Sequence, residues 1–75
     1  MVRTYPNPVK DNISIECSGS IMQVIGLYDI HGRLIQTEKV QSNKIELSVS
    51  GLQSGIYILK VKTAGGMAVK RIMKQ

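Results

Sequence analysis

Phenylalanine and tryptophan are absent from this sequence, and cysteine and histidine occur once each, as Cys17 and His31. A lone cysteine closes no disulfide within the chain. One histidine and one cysteine cannot furnish a four-ligand zinc site, and the five carboxylates are scattered without calcium-loop spacing. Nucleophilic catalysis needs a nucleophile beside a base that a third group orients. Cys17 falls on the apolar side of an alternating segment, where a buried, inert thiol belongs. His31 stands in the polar turn "DIHGR". No enzyme, metal or cofactor is therefore expected. "TAGGMAVK" places a lysine after Gly-Gly but lacks the spacing and the Ser/Thr of a phosphate loop. No apolar run nears the roughly 20 residues that span a bilayer, and the opening "MVRTYPNP" has no signal-peptide h-region.

Acidic residues are also missing from the last third. Up to Glu46 five basic residues balance five acidic ones; beyond it there is no acid, while Lys60, Lys62, Lys70, Arg71 and Lys74 follow, so the whole net charge of +5 lies there. Two readings fit: lysines guarding a sheet edge, or an electrostatic recognition surface. Nucleic acid is disfavoured as a partner, because sheets that read single strands present stacked aromatics and this chain has only Tyr5, Tyr28 and Tyr57.

What the sequence does contain is strand signal. Its 75 residues allow a single domain, residues 1–75, with a core of Ile, Val, Leu and Met. "NISIEC" and "NKIELSV" alternate with period two. "IMQVIGLYD" is apolar on both faces, as expected of a central strand covered on two sides or at a sheet crossing, and "IYILKVK" reads as a second central strand. "RLIQTEKV" is more polar and suits an edge, and "MAVKRIMKQ" closes the chain as a half-apolar, half-basic strand. "SGS", "DIHG", "SGLQSG" and "TAGG" are turns, with Gly32 free to take a left-handed conformation. Six or seven short strands with turns every 8 to 12 residues predict an all-β, antiparallel sandwich or barrel.

Before the first clear strand stands "TYPNPVK", in which Pro6 and Pro8 fix their own φ and favour extended neighbours. Asn7 between them can bond nearby backbone through its side chain. Met1–Thr4 read as a chain start and the end of a linker, and Pro6, Asn7 and Pro8 as a stiff boundary between linker and strand.

Four segments in order, "YPNP", "YDIHGRLI", "LSVSGLQSGIYILKV" and "GGMAVKRIMKQ", resemble the C-terminal sorting domain of proteins exported by the type IX (Por) secretion system of Bacteroidetes, over Tyr5 to Lys74. The resemblance implies a small immunoglobulin-like β-sandwich of about seven strands. It also implies a signal domain at the end of a larger secreted protein, which the secretion translocon reads in the periplasm and a sortase-like peptidase removes at the cell surface. Pro6, Asn7 and Pro8 match the opening motif, Gly32 the turn glycine, and Gly55 with Tyr57 the Gly–x–Tyr; Lys70, Arg71, Ile72 and Lys74 match the terminal stretch on which export depends. The glycines and Tyr57 are expected to serve the fold, and the terminal stretch to be contacted directly. An exposed last strand can also pair with a copy of itself, giving an edge-strand homodimer. The competing reading is an accessory β-sandwich that binds carbohydrate or a protein without a sorting role.

Overall fold

Alternation sets the first sheet. In the computed structural model, which describes residues 1–75, strand β2 (Asn12–Cys17) turns Ile13, Ile15 and Cys17 inward and pairs antiparallel with β5 (Lys44–Ser48), which contributes Leu47 to the same interior. On the other side of β2 lies β1 (Val2–Tyr5), with Val2 opposite Cys17 and Tyr5 opposite Ser14. Met1–Thr4 is thus no linker: Val2 is a buried core residue, and the strand starts ahead of the prolines. Four residues with one apolar side chain facing inward are too short a pattern to register as period two.

The second sheet holds the remaining strands in the order β4–β3–β6–β7, built from β3 (Met22–Asp29), β4 (Leu34–Ser42), β6 (Gly55–Thr63) and β7 (Gly66–Lys74). The two central strands are the two most apolar ones, and the more polar β4 takes an edge, as the composition implied. Every named pairing is antiparallel. A three-stranded β1–β2–β5 sheet facing a four-stranded β4–β3–β6–β7 sheet is an immunoglobulin-like sandwich. Between the sheets Ile13, Ile15, Met22, Ile25, Leu27, Leu59, Val61 and Ile72 are almost wholly removed from water. Burial of each such side chain contributes about 1.5–3 kcal/mol relative to exposure. No buried side-chain nitrogen or oxygen is left without a hydrogen-bond partner.

Two motifs secure the corners. In the β3–β4 turn the Asp29 carboxylate accepts the backbone N–H groups of His31 and Arg33, both at 2.9 Å, and the Arg33 Nε–H at 3.1 Å. Gly32 sits between those residues at φ +87°, a conformation that costs other residues a Cβ clash. At the start of β6, Gly55 has φ +152°, and the Tyr57 hydroxyl donates to the Gln53 carbonyl at 2.7 Å. That bond to backbone just upstream has the form of the tyrosine corner of immunoglobulin-like sandwiches. Gly–x–Tyr thus supplies a left-handed start to β6 and a side-chain bond to the loop before it.

Candidate functional site

Strand β7 is the outermost member of its sheet and pairs only with β6 along its length. In an antiparallel ladder each residue points both backbone groups to the same side, alternating along the strand. Met73 turns its groups away from β6: its N–H donates to the Asn7 Oδ1 at 3.0 Å, and its carbonyl accepts the Val9 N–H at 2.8 Å. Arg71, Val69 and Met67 share that orientation by alternation, so from Met67 to the Arg71 N–H the strand offers open backbone to solvent.

The opening motif ends that stretch. Pro6 and Pro8 have no N–H to donate, so the bonding falls to Asn7 and Val9. The Asn7 amide reaches the Arg71 carbonyl at 3.4 Å as well as receiving the Met73 N–H. Fully buried Val9 joins β7 as a one-residue parallel bridge opposite Lys74, and its carbonyl accepts the Gln75 N–H at 2.8 Å. Both X–Pro bonds, Tyr5–Pro6 and Asn7–Pro8, are cis. Pro6, Asn7 and Pro8 are exposed, yet they act on the far end of the chain: Asn7 and Met73 are 66 positions apart. The sequence pointed to an asparagine that bonds nearby backbone; the fold makes it a clamp on the last strand.

The terminal residues separate into two groups. Ile72 is 2 % exposed and belongs to the core, so it cannot be contacted directly in the folded domain. Lys74 is 8 % exposed and its ammonium donates to the Gln75 carbonyl at 2.8 Å, which corrects its expected place on an open surface. Lys70 shares their inward orientation and is half-buried. Only Arg71 points outward. Neighbours in sequence within a strand fall on opposite faces, and a cluster of cations read along the chain is divided in space.

Arg71 gains other company from β6. Lys60 and Lys62 face the same way, opposite Val69 and Met67 in the β6–β7 register. Lys60 also lies over the Tyr28 ring, 4.6 Å from its centroid. Tyr28, on a central strand, is half-buried on this outer face, its ring folded over Gly26. Lys60 and Lys62 were legible in "IYILKVK", where alternation against the inward Tyr57, Leu59 and Val61 places them outward, following Ile56 and Ile58. Cys17 is buried in the interior, whereas His31 is exposed in the β3–β4 turn.

The family model described as the secretion system C-terminal sorting domain matches residues 3–75. No curated protein sequence matches the chain. Among solved structures, it is similar to PorZ, described as an essential bacterial surface component of the type-IX secretion system of Porphyromonas gingivalis, with a TM-score of 0.77 and 21 % identity. The likeness covers 99 % of this chain and 11 % of that one, so this chain spans about a tenth of the length of PorZ, and at that identity it speaks for the fold. Matched over nearly its whole length and folded as the resemblance implied, the chain belongs to the family of C-terminal sorting domains that direct proteins through type IX secretion.

Proposed function

We propose that the export machinery reads this domain by adding a strand to the open edge of β7 between Met67 and Arg71, with Arg71 supplying a charge contact. A sorting domain of this family acts as part of a larger precursor, bound for the cell surface or beyond. The single observation behind the proposal is the division of β7: its last residues are held by Asn7 and Val9, and the stretch before them is left unpaired. Added strands gain affinity from main-chain bonds and specificity from alternate side chains. In this reading the translocon is the reader, a sortase-like surface peptidase cuts upstream of Val2 because β1 belongs to the sandwich, and the domain is signal and substrate without catalysis of its own. A second copy of the chain fits the same edge.

Removing the last five residues is a poor test, because it deletes Ile72 from the core and a loss of export would report unfolding. Val69→Pro is sharper. It removes an outward N–H that β6 does not use, at an edge position where proline is tolerated. With the chain fused behind a reporter in a bacterium carrying the system, Val69→Pro should abolish export while the purified domain keeps a cooperative melt. Full export by a folded Val69→Pro variant would sink the strand-addition mechanism. Sedimentation of the parent chain tests the homodimer, which the same substitution should dissolve.

A further inference from the structure

The two outer faces of the sandwich differ in kind. On the β1–β2–β5 sheet the outward positions are Arg3, Asn12, Ser14, Glu16, Lys44 and Glu46, with Tyr5 and Ser48 at the ends. Glu16 lies 3.5 Å from Lys44 and 4.0 Å from Arg3, so the charges offset one another and no aliphatic side chain is presented. That is the ordinary solvated face of an antiparallel sheet.

On the four-stranded sheet the outward positions include Val24, Leu34, Ile58, Met67, Val69 and Met73. Met67 is 61 % exposed and Val69 59 %. Interleaved among them are Lys39, Lys60, Lys62 and Arg71, none of them in an ion pair, and no carboxylate shares the face. A trough of about 190 Å³ runs between Val24, Tyr28, Leu34, Lys60 and Met67. The register shift between Met22 and Val24 lets β3 place Met22 in the core and Val24 outside it. "IMQVIGLYD" is thus patterned for cover on two sides, and the sandwich covers one. Exposed apolar side chains gathered on one face among polar ones suit an interaction site.

We propose that this face docks a protein partner whose surface carries acidic side chains among apolar ones. The proposal rests on the sorting reading in taking that partner to belong to the export machinery; the chemistry comes from the face itself. Four uncompensated cations call for an acidic counterpart, and a second copy would set those cations against their own kind. A bilayer is a poorer fit. The apolar side chains are interleaved with cations, and the one aromatic is held against Gly26 under Lys60. A strand added at β7 would continue the same plane, so a protein engaging the edge also meets the face.

The test titrates the isotope-labelled chain, residues 1–75, with a soluble peptide alternating Glu and Val and, separately, with its Lys/Val and Glu/Ser counterparts. The Glu/Val peptide should shift the amides of Val24, Lys60, Lys62 and Val69, and its affinity should fall as salt rises. The double variant Lys60→Glu/Lys62→Glu should weaken binding at least tenfold, whereas Lys10→Glu, in a loop, should not; Lys60→Gln/Lys62→Gln replaces the reversal if that variant does not melt cooperatively. Absence of Glu/Val binding, equal binding of the Lys/Val peptide, or shifts confined to the three-stranded sheet would overturn the proposal. Phosphatidylglycerol vesicles perturbing the same amides more strongly than the Glu/Val peptide would overturn it in favour of a membrane. Export distinguishes the two readings: Val69→Pro failing while Lys60→Glu/Lys62→Glu exports normally keeps the edge and removes the face, and the converse keeps the face.

Discussion

Asn7→Ala removes the side chain that links the first loop to the last strand. It loses the acceptor of the Met73 N–H, at 3.0 Å, and the donor to the Arg71 carbonyl, at 3.4 Å. The second lies beyond the usual N–H···O range of about 2.7–3.2 Å and contributes little. The first is a full hydrogen bond, with a net value of about 1 kcal/mol. Val9 keeps its own bonds to Met73 and Gln75, so the loop stays seated. The expected loss is about 1 kcal/mol, equivalent to a melting temperature lower by roughly 4–8 °C for a domain of this size. Asn7→Asp retains the acceptor and should cost less than half as much. Urea unfolding followed by circular dichroism gives the stabilities, and hydrogen exchange of the Met73 amide gives the local event. Exchange at Met73 should accelerate in Asn7→Ala and stay slow in Asn7→Asp. Because the freed N–H lengthens the open edge, Asn7→Ala should also self-associate more readily. An unchanged Met73 amide in Asn7→Ala, or equal damage from Asp and Ala, would refute the clamp.

Tyr57→Phe leaves the Gln53 carbonyl without its 2.7 Å donor and should lower stability by about 1 kcal/mol without changing the fold, read by the same urea titration; no loss would remove the corner from the account. The Asp29 carboxyl is held below the ordinary carboxylate value, first by the Arg33 backbone N–H and then by the His31 N–H and the Arg33 charge. A folded value depressed in this way gives stability that is complete above the ordinary carboxylate pKa and is lost as pH falls below it through the depressed value. Asp29→Asn should therefore flatten that acid limb, and the side-chain carboxyl shift of the parent chain followed against pH should show Asp29 titrating below the ordinary carboxylate value if the turn geometry is right.

Period-two alternation was enough to identify β2 and β5, because whether a side chain faces the core or water is settled within a few residues, while β6 and β7 were read from their composition. The turn glycine at 32 was legible for the same local reason, since a tight turn calls for a left-handed backbone, whereas Gly–x–Tyr was picked out by the family resemblance. β1 was missed because its four residues bury little more than Val2. The terminal cations were misjudged as a group because contiguity along a strand is the opposite of contiguity on a face. Lys74 and Ile72 therefore went inward, while Lys60 and Lys62 joined Arg71.

By itself, then, the sequence determined an all-β domain, the inward side chains of its longer strands, a basic last third and a family. Only the tertiary structure decided that β7 lies at an edge, that Asn7 closes one end of it, and that one sheet face is ion-paired while the other is apolar and cationic. Those properties depend on which strands become neighbours, and strand order is set by packing between segments up to 66 residues apart, which no local pattern encodes.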